Sequence, residues 1–168
     1  DFTELIIEAW TKGYNLIELA LSAGWKDLEK LCGSIFFRYG FKILLNYRFK
    51  SHGKRYEIDV IAIDQPYLVL VDCKRWRRGG TYSLIKAAEN QVKRAQAFID
   101  SFYYQKDIIK YLKKNNYELR IIPILVTILE SKIKIYNGVP IVPINFLRNF
   151  ILSFKGYEED MLVMRLKT

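Results

Sequence analysis

Four charged residues, Glu29, Asp59, Asp72 and Lys74, stand where the hydrophobic pattern calls for apolar ones. Burying an unpaired charge is costly or forces a change of protonation, so each placement needs a reason. Glu29 lies four residues after Trp25, three before Cys32 and seven before Phe36, on the inward stripe of a helix. Asp59 stands in Glu57-Ile58-Asp59-Val60-Ile61-Ala62-Ile63, where two-residue alternation puts it on the face of Ile61 and Ile63. Glu57 shares that face as a reserve ligand. In Leu68-Val69-Leu70-Val71-Asp72-Cys73-Lys74, the same alternation groups Asp72 and Lys74 with Leu68 and Leu70. Singly, these read as a boundary glutamate or a strand-end ion pair. Together they match what phosphodiester hydrolysis requires. Carboxylates are hard oxygen ligands for Mg²⁺, which polarises a phosphoryl oxygen and acidifies the attacking water. A nearby lysine can orient that water, accept its proton if its own pKa is depressed, or offset developing charge if it stays protonated. The residues leave these roles of Lys74 open.

These residues need a helix and a sheet to carry them. The first two dozen residues have helical spacing, broken near Gly13, and form an N-terminal helical extension over residues 1–24. A helix over residues 25–39 opens a second unit, residues 25–168, and Gly40 can stop it. Strands at 41–49, 56–64 and 68–75, joined by Ser51-His52-Gly53-Lys54 and Gln65-Pro66, form an antiparallel meander. A helix over 84–114, with a break near Ser101, carries Gln91 on the inward stripe of Leu84, Ala88, Ala95 and Phe98. The strand at 119–129 contains Pro123, which lacks an amide donor and suggests an edge or a bulge. A short strand at 133–136, a turn at Asn137-Gly138 and a helix over 146–154 follow. The class is α/β.

Composition narrows the partners. The chain has 168 residues, 51% hydrophobic, with 27 Lys+Arg against 18 Asp+Glu and a net charge of +9, so its surface attracts polyanions. With two cysteines, Cys32 and Cys73, and one histidine, His52, neither a disulfide framework nor a zinc set arises, and a reduced, cytoplasmic setting is expected. No apolar run is long enough to span a bilayer, so no membrane partner is expected. Directly after Lys74 comes Arg75-Trp76-Arg77-Arg78-Gly79-Gly80, a candidate phosphate clamp that Lys54, Arg55, Lys93 and Arg94 could extend.

An upstream helical glutamate, Ile58-Asp59 in a hairpin, and Asp72-Cys73-Lys74 after an apolar strand resemble the PD-(D/E)XK nuclease superfamily over residues 25–129. The wording Glu-Ile-Asp-Val-Ile-Ala and Val-Asp-Cys-Lys is nearest to Mrr-type restriction endonucleases and archaeal Holliday-junction resolvases. Ile58 replaces the nominal proline, a position the superfamily varies. The resemblance implies a restriction endonuclease-like core and a Mg²⁺-dependent endonuclease acting on DNA, with Mn²⁺ as substitute metal and no small-molecule cofactor. It implies a homodimer, metal binding by Asp59 and Asp72, completion of the metal shell by Glu29, and nucleophile assistance by Lys74. Cys73, inside the motif, is counted with the metal positions, and Gln91 matches a glutamine that several branches carry near the site. Resolvases usually add a serine between the glutamate and the first aspartate, and Ser51 lies there without further context. The alternative is a catalytically silent nucleic-acid-binding or assembly module on the same fold. A metal-independent RNA nuclease would need a His/Tyr/Lys site, and His52 has no evident partner set.

Overall fold

The computed structural model describes residues 2–22, 27–75, 80–113 and 118–168. Two short helices, α1 (Phe2–Thr11) and α2 (Leu16–Ser22), precede α3 (Leu28–Arg38). The carboxylate of Asp27 caps α3 by accepting from the Lys30 amide at 3.1 Å. The expected start at Trp25 lies outside the described residues, as does the expected boundary between residues 24 and 25. Gly40, at φ 90°, turns the chain out of the helix.

β1 (Lys42–Ser51) and β2 (Lys54–Asp64) form a long hairpin closed by His52 and Gly53, both at positive φ, the geometry of a two-residue hairpin turn. β3 (Tyr67–Lys74) completes the meander. Parallel neighbours cannot be joined by a tight turn, so α4 (Thr81–Asp100) and the short α5 (Lys106–Ile109) carry the chain back to β4 (Glu118–Thr127), parallel to β3. The helix predicted over 84–114 does break at Ser101. β5 (Ile135–Tyr136), β6 (Val139–Pro143), α6 (Leu147–Ser153) and β7 (Met164–Lys167) complete the fold. The sheet order is β1-β2-β3-β4-β6-β5, with β7 on β4. This is an α/β fold consistent with the restriction endonuclease-like core.

Pro123 corrects one expectation. β4 is an interior strand, paired with β3 along residues 120–127. On its other side β7 pairs with residues 118–121 and β6 with residues 125–127. Pro123 falls between those two partners, where neither strand claims its missing amide.

The sheet divides two cores. On one face Ile6, Ile7 and Leu16 join Leu31, Ile35 and Phe36 of α3 against Val60, Val69 and Val71. The N-terminal helices thus share the core of the residues that follow. On the other face Ile61, Leu68 and Leu70 meet Ala95, Phe98 and Phe102. β3 is buried on both faces until Lys74, where it emerges. Among the described residues no helix is long and apolar enough to cross a membrane.

Candidate active site

The site forms where β2 leaves β3. Their pairing runs from Asp64↔Tyr67 to Val60↔Val71 and stops, while β3 continues beside β4 through Lys74↔Thr127. The next facing residues on the parting strands are Asp59 and Asp72. Asp59 turns into the gap, and its Oδ2 accepts from the Cys73 amide at 2.7 Å. A backbone donor left by the parting strand is thereby satisfied.

This placement corrects the face expected for Asp59. Ile61 and Ile63 pack on the α4 side, yet so do Ile58 and Tyr56, so two-residue alternation breaks in between. β1 breaks at the same level. Ile43 packs on the α3 side, while Leu44 and Tyr47, three residues apart, both pack on the α4 side. Between them Asn46 adopts φ 49°, and the position opposite it, Asp59, is the one gap in a register that otherwise runs from Lys42↔Ile63 to Ser51↔Lys54. Asparagine tolerates the left-handed region, which allows the hairpin to kink there.

Three carboxylates approach this gap from different elements. Asp72, 5% exposed, projects from β3. Its Oδ2 lies 2.9 Å from Lys74 Nζ and its Oδ1 3.7 Å from Arg94 Nη1. The lysine contact is an ion pair outside hydrogen-bond geometry, so buried Asp72 Oδ2 has no hydrogen-bond donor. Glu29, in the first turn of α3, pairs with Arg75 Nη2 at 2.6 Å. Gly33, one turn further, sits where a Cβ would come within 2.9 Å of Leu45, which lets α3 lie close to β1. Burial pushes the Asp59 carboxyl up to about 6; the Cys73 amide opposes this, and the charges of Asp72 and Glu29 add to it.

Gln91 is 1% exposed and bridges two parts of the site. Its Nε2 donates to the Leu70 carbonyl at 2.8 Å, and its Oε1 accepts from Arg94 at 2.6 Å. Gln91 therefore fixes Arg94 beside Asp72. The Cys73 side chain takes the other direction, into the α3 core, where hydrogen bonding with Cys32, followed by burial, raises its thiol pKa.

The model of the nuclease-related domain family matches residues 25–128, more than half of the chain. The chain belongs to this family. It is thus a member of a nuclease superfamily, and the match spans α3, the meander, α4 and β4. A search of curated proteins finds no match. Among solved structures, a protein of unknown function, AF1548, is 17% identical, with 59% of this chain and 44% of that one covered and a TM-score of 0.39. Protein VC1899 from Vibrio cholerae is 12% identical, with 95% and 50% covered and a TM-score of 0.43. The chain spans about half the length of these two structures.

Within this nuclease-related domain the structure brings Glu29, Asp59, Asp72, Lys74 and Gln91 to one gap. Arg75 stands at its rim on Glu29. Trp76, Arg77 and Arg78 lie outside the described residues. Lys54 and Arg55 are exposed near the hairpin tip. Lys93 is exposed beside Val92, Tyr136 and Leu162, whereas its neighbour Arg94 reaches Asp72. Asn46 is the position that sequence reasoning passed over, and Arg94, expected with Lys93 to widen the DNA-binding surface, turns inward to Asp72 instead. The signal for that turn was its spacing, three residues after the inward Gln91.

The donor set suits a hard divalent cation. Asp72 offers a buried oxygen that Lys74 meets as an ion pair, and Asp59 carries a charge that its surroundings disfavour. Among the described residues no three acidic, cysteine or histidine side chains form a ready-made metal cage. Glu29, held by Arg75, is turned to that partner.

Proposed function

We propose that this nuclease-related domain is a Mg²⁺-dependent endonuclease that hydrolyses DNA phosphodiester bonds, with Mn²⁺ able to substitute. The observation carrying this reading is the burial of Asp59 beside Asp72 and Glu29, with Lys74 Nζ 2.9 Å from Asp72. Asp59 and Asp72 would hold the cation, with Glu29 completing the shell once Arg75 gives it up; at position 73 only backbone is left to contribute. The chemistry such a cation supplies is polarisation of the phosphoryl group and acidification of the attacking water.

The chain's own residues do the rest. Lys74, anchored by Asp72, presents its ammonium where it can orient the attacking water or the phosphoryl oxygens. Gln91 and Arg94 keep Asp72 fixed, so the acid does not swing away when the substrate arrives. Arg75 sits at the rim, where it can exchange Glu29 for a phosphate. The motif wording favours a restriction-type or structure-selective enzyme acting as a homodimer, and the two free cysteines favour a reduced, cytoplasmic setting.

The test is incubation of the protein, Asp72→Ala and Lys74→Ala with supercoiled plasmid, linear duplex, single strands and a four-way junction, in Mg²⁺, Mn²⁺ or EDTA. Metal-dependent cutting by the parent that both substitutions remove is the expected result. The preferred substrate separates the restriction and resolvase options. If no substrate is cut while all three proteins bind DNA equally, the chain is a binding module instead.

A further inference from the structure

The β1–β2 hairpin continues past the site as an arm with two unlike faces. Beyond Val60, β2 has left β3 and remains paired only with β1. On the α4 side, Tyr47, Phe49, Tyr56 and Ile58 pack against Phe98. Phe49 stacks on Tyr56 with ring centroids 5.3 Å apart and meets Phe98 edge-on at 5.7 Å. The arm is therefore held in place by an aromatic cluster.

The other face is polar and exposed, carrying Arg48, Lys50, Arg55 and Glu57. Two cross-strand pairs make it up. Arg48 faces Glu57 and bonds it at 2.7 Å, a matched pair. Lys50 faces Arg55, a like-charge pair directly opposite in the ladder, and no described acid pairs with either. Like charges in that relation destabilise a hairpin. Such an arrangement is relieved by an anion brought from outside. Helix α3 does not shield it, because Gly33 places that helix over Ile43 and Leu45, on the near side of Asn46.

We propose that this face is a track for the phosphate backbone of duplex DNA on one side of the cut, with Lys50 and Arg55 as its contacts. The proposal rests on the nuclease reading above and gives it a direction. Arg55 lies four residues beyond Asp59, or roughly 13 Å along an extended strand. Phosphates on one strand advance about 3.4 Å along a duplex axis, so the track meets the backbone roughly four nucleotides from the scissile bond. The aromatic stack keeps the two cations at a fixed distance from the carboxylates, so the arm sets the register of the duplex on the site without reading bases.

The test is binding of a labelled random-sequence duplex in EDTA as a function of salt, for the parent, Lys50→Ala/Arg55→Ala, and a control, Lys106→Ala/Lys110→Ala, that removes equal charge from α5 and its C-cap. Thermal unfolding verifies that each variant is folded. Two lost phosphate contacts should make the log–log salt slope shallower by about 2 and weaken binding about tenfold near physiological salt, with the control near the parent. A slope for the arm variant no different from that of the control overturns the proposal, as does failure of the parent to bind duplex. Because binding is read without turnover, a parent that binds through the arm but never cuts rejects the catalytic reading alone. A parent that cuts while the arm variant binds normally rejects the track alone.

Discussion

The two ends of β3 carry charge in opposite ways. At the start of the strand, Tyr67 donates to Glu158, and Arg120 Nη1 bonds the same carboxylate at 2.8 Å and the Tyr67 hydroxyl at 3.1 Å. Burial works to raise the Glu158 pKa, but hydrogen bonds from Tyr67 and Arg120 outweigh it and the net shift is downward. At the far end, Asp59 is raised to about 6, and Asp72 Oδ2 meets Lys74 Nζ at 2.9 Å as an ion pair. One cluster sets a single carboxylate between a guanidinium and a hydroxyl; the other gathers three carboxylates, and Asp59 among them is raised by burial and by its acidic neighbours. Acid groups whose protonation is shifted by burial and by like charge are the kind that cluster at functional sites.

The largest test of this difference is to remove a carboxylate from each end. Asp59→Ala or Asp72→Ala should lower DNA cleavage on the order of a thousandfold, read in a plasmid nicking assay with Mg²⁺. Glu158→Gln should leave the cleavage rate unchanged and lower the midpoint of thermal unfolding by a few degrees. Equal loss of cleavage from all three variants would erase the distinction between the ends.

A smaller effect isolates the kink that makes the far end open. If Asn46 in the left-handed region turns Asp59 into the gap, Asn46→Val should reduce cleavage roughly tenfold to a hundredfold, because a β-branched residue resists positive φ and misplacement of the acid is costly. Asn46→Gly should keep the rate close to the parent. Cleavage that ignores both substitutions would mean that the kink does not position Asp59.

This kink also shows where the sequence is legible and where it is not. Glu29, Asp72, Lys74 and Gln91 could be placed because each interrupts an apolar stripe whose direction the neighbouring residues define. Asp59 could be picked out by the same interruption, but not its direction. Alternation presumes an unbroken strand, and a single left-handed residue on the partner strand voids that assumption. Asn46 between Leu45 and Tyr47 was the available clue, since asparagine is a poor strand former that tolerates positive φ. Pro123 misled for a related reason: a proline in a strand suggests an edge or a bulge, whereas β4 changes partners on one side midway along its length. Arg94 was obscured by Lys93, because two adjacent cations on a helix look alike until the packing turns one inward.

The latch on Glu29 is the next test, and its effects should have opposite signs. Arg75 holds Glu29 at 2.6 Å, so Arg75→Ala should release the carboxylate and tighten Mn²⁺ binding several-fold, while weakening duplex binding by a similar factor. Calorimetric titration with Mn²⁺ and duplex binding in EDTA read the two separately. A loss of both affinities would show that Arg75 supports the acidic cluster rather than restraining it.

The smallest effect is in the pH dependence of stability without metal, where the two ends of β3 should oppose each other. A raised carboxyl makes the folded state bind protons more readily than the unfolded one, so stability falls as pH rises between the unfolded value near 3.9 and about 6. Below that window Asp59 is neutral in both states and costs nothing. Asp59→Asn should therefore be more stable than the parent above pH 6 and lose that advantage on acidification towards pH 4. Glu158 has the reverse sign: its lowered pKa gives stability that is present above the unfolded value and lost as pH falls through the folded one. The parent should then exceed Glu158→Gln near neutrality, with the gap closing only in acid. Denaturant unfolding of the three proteins across pH 3–8 compares the slopes directly. Adding Mn²⁺ above pH 6 should stabilise the parent and Glu158→Gln, and Asp59→Asn less, because Asp59 is one of the two carboxylates proposed to hold the cation.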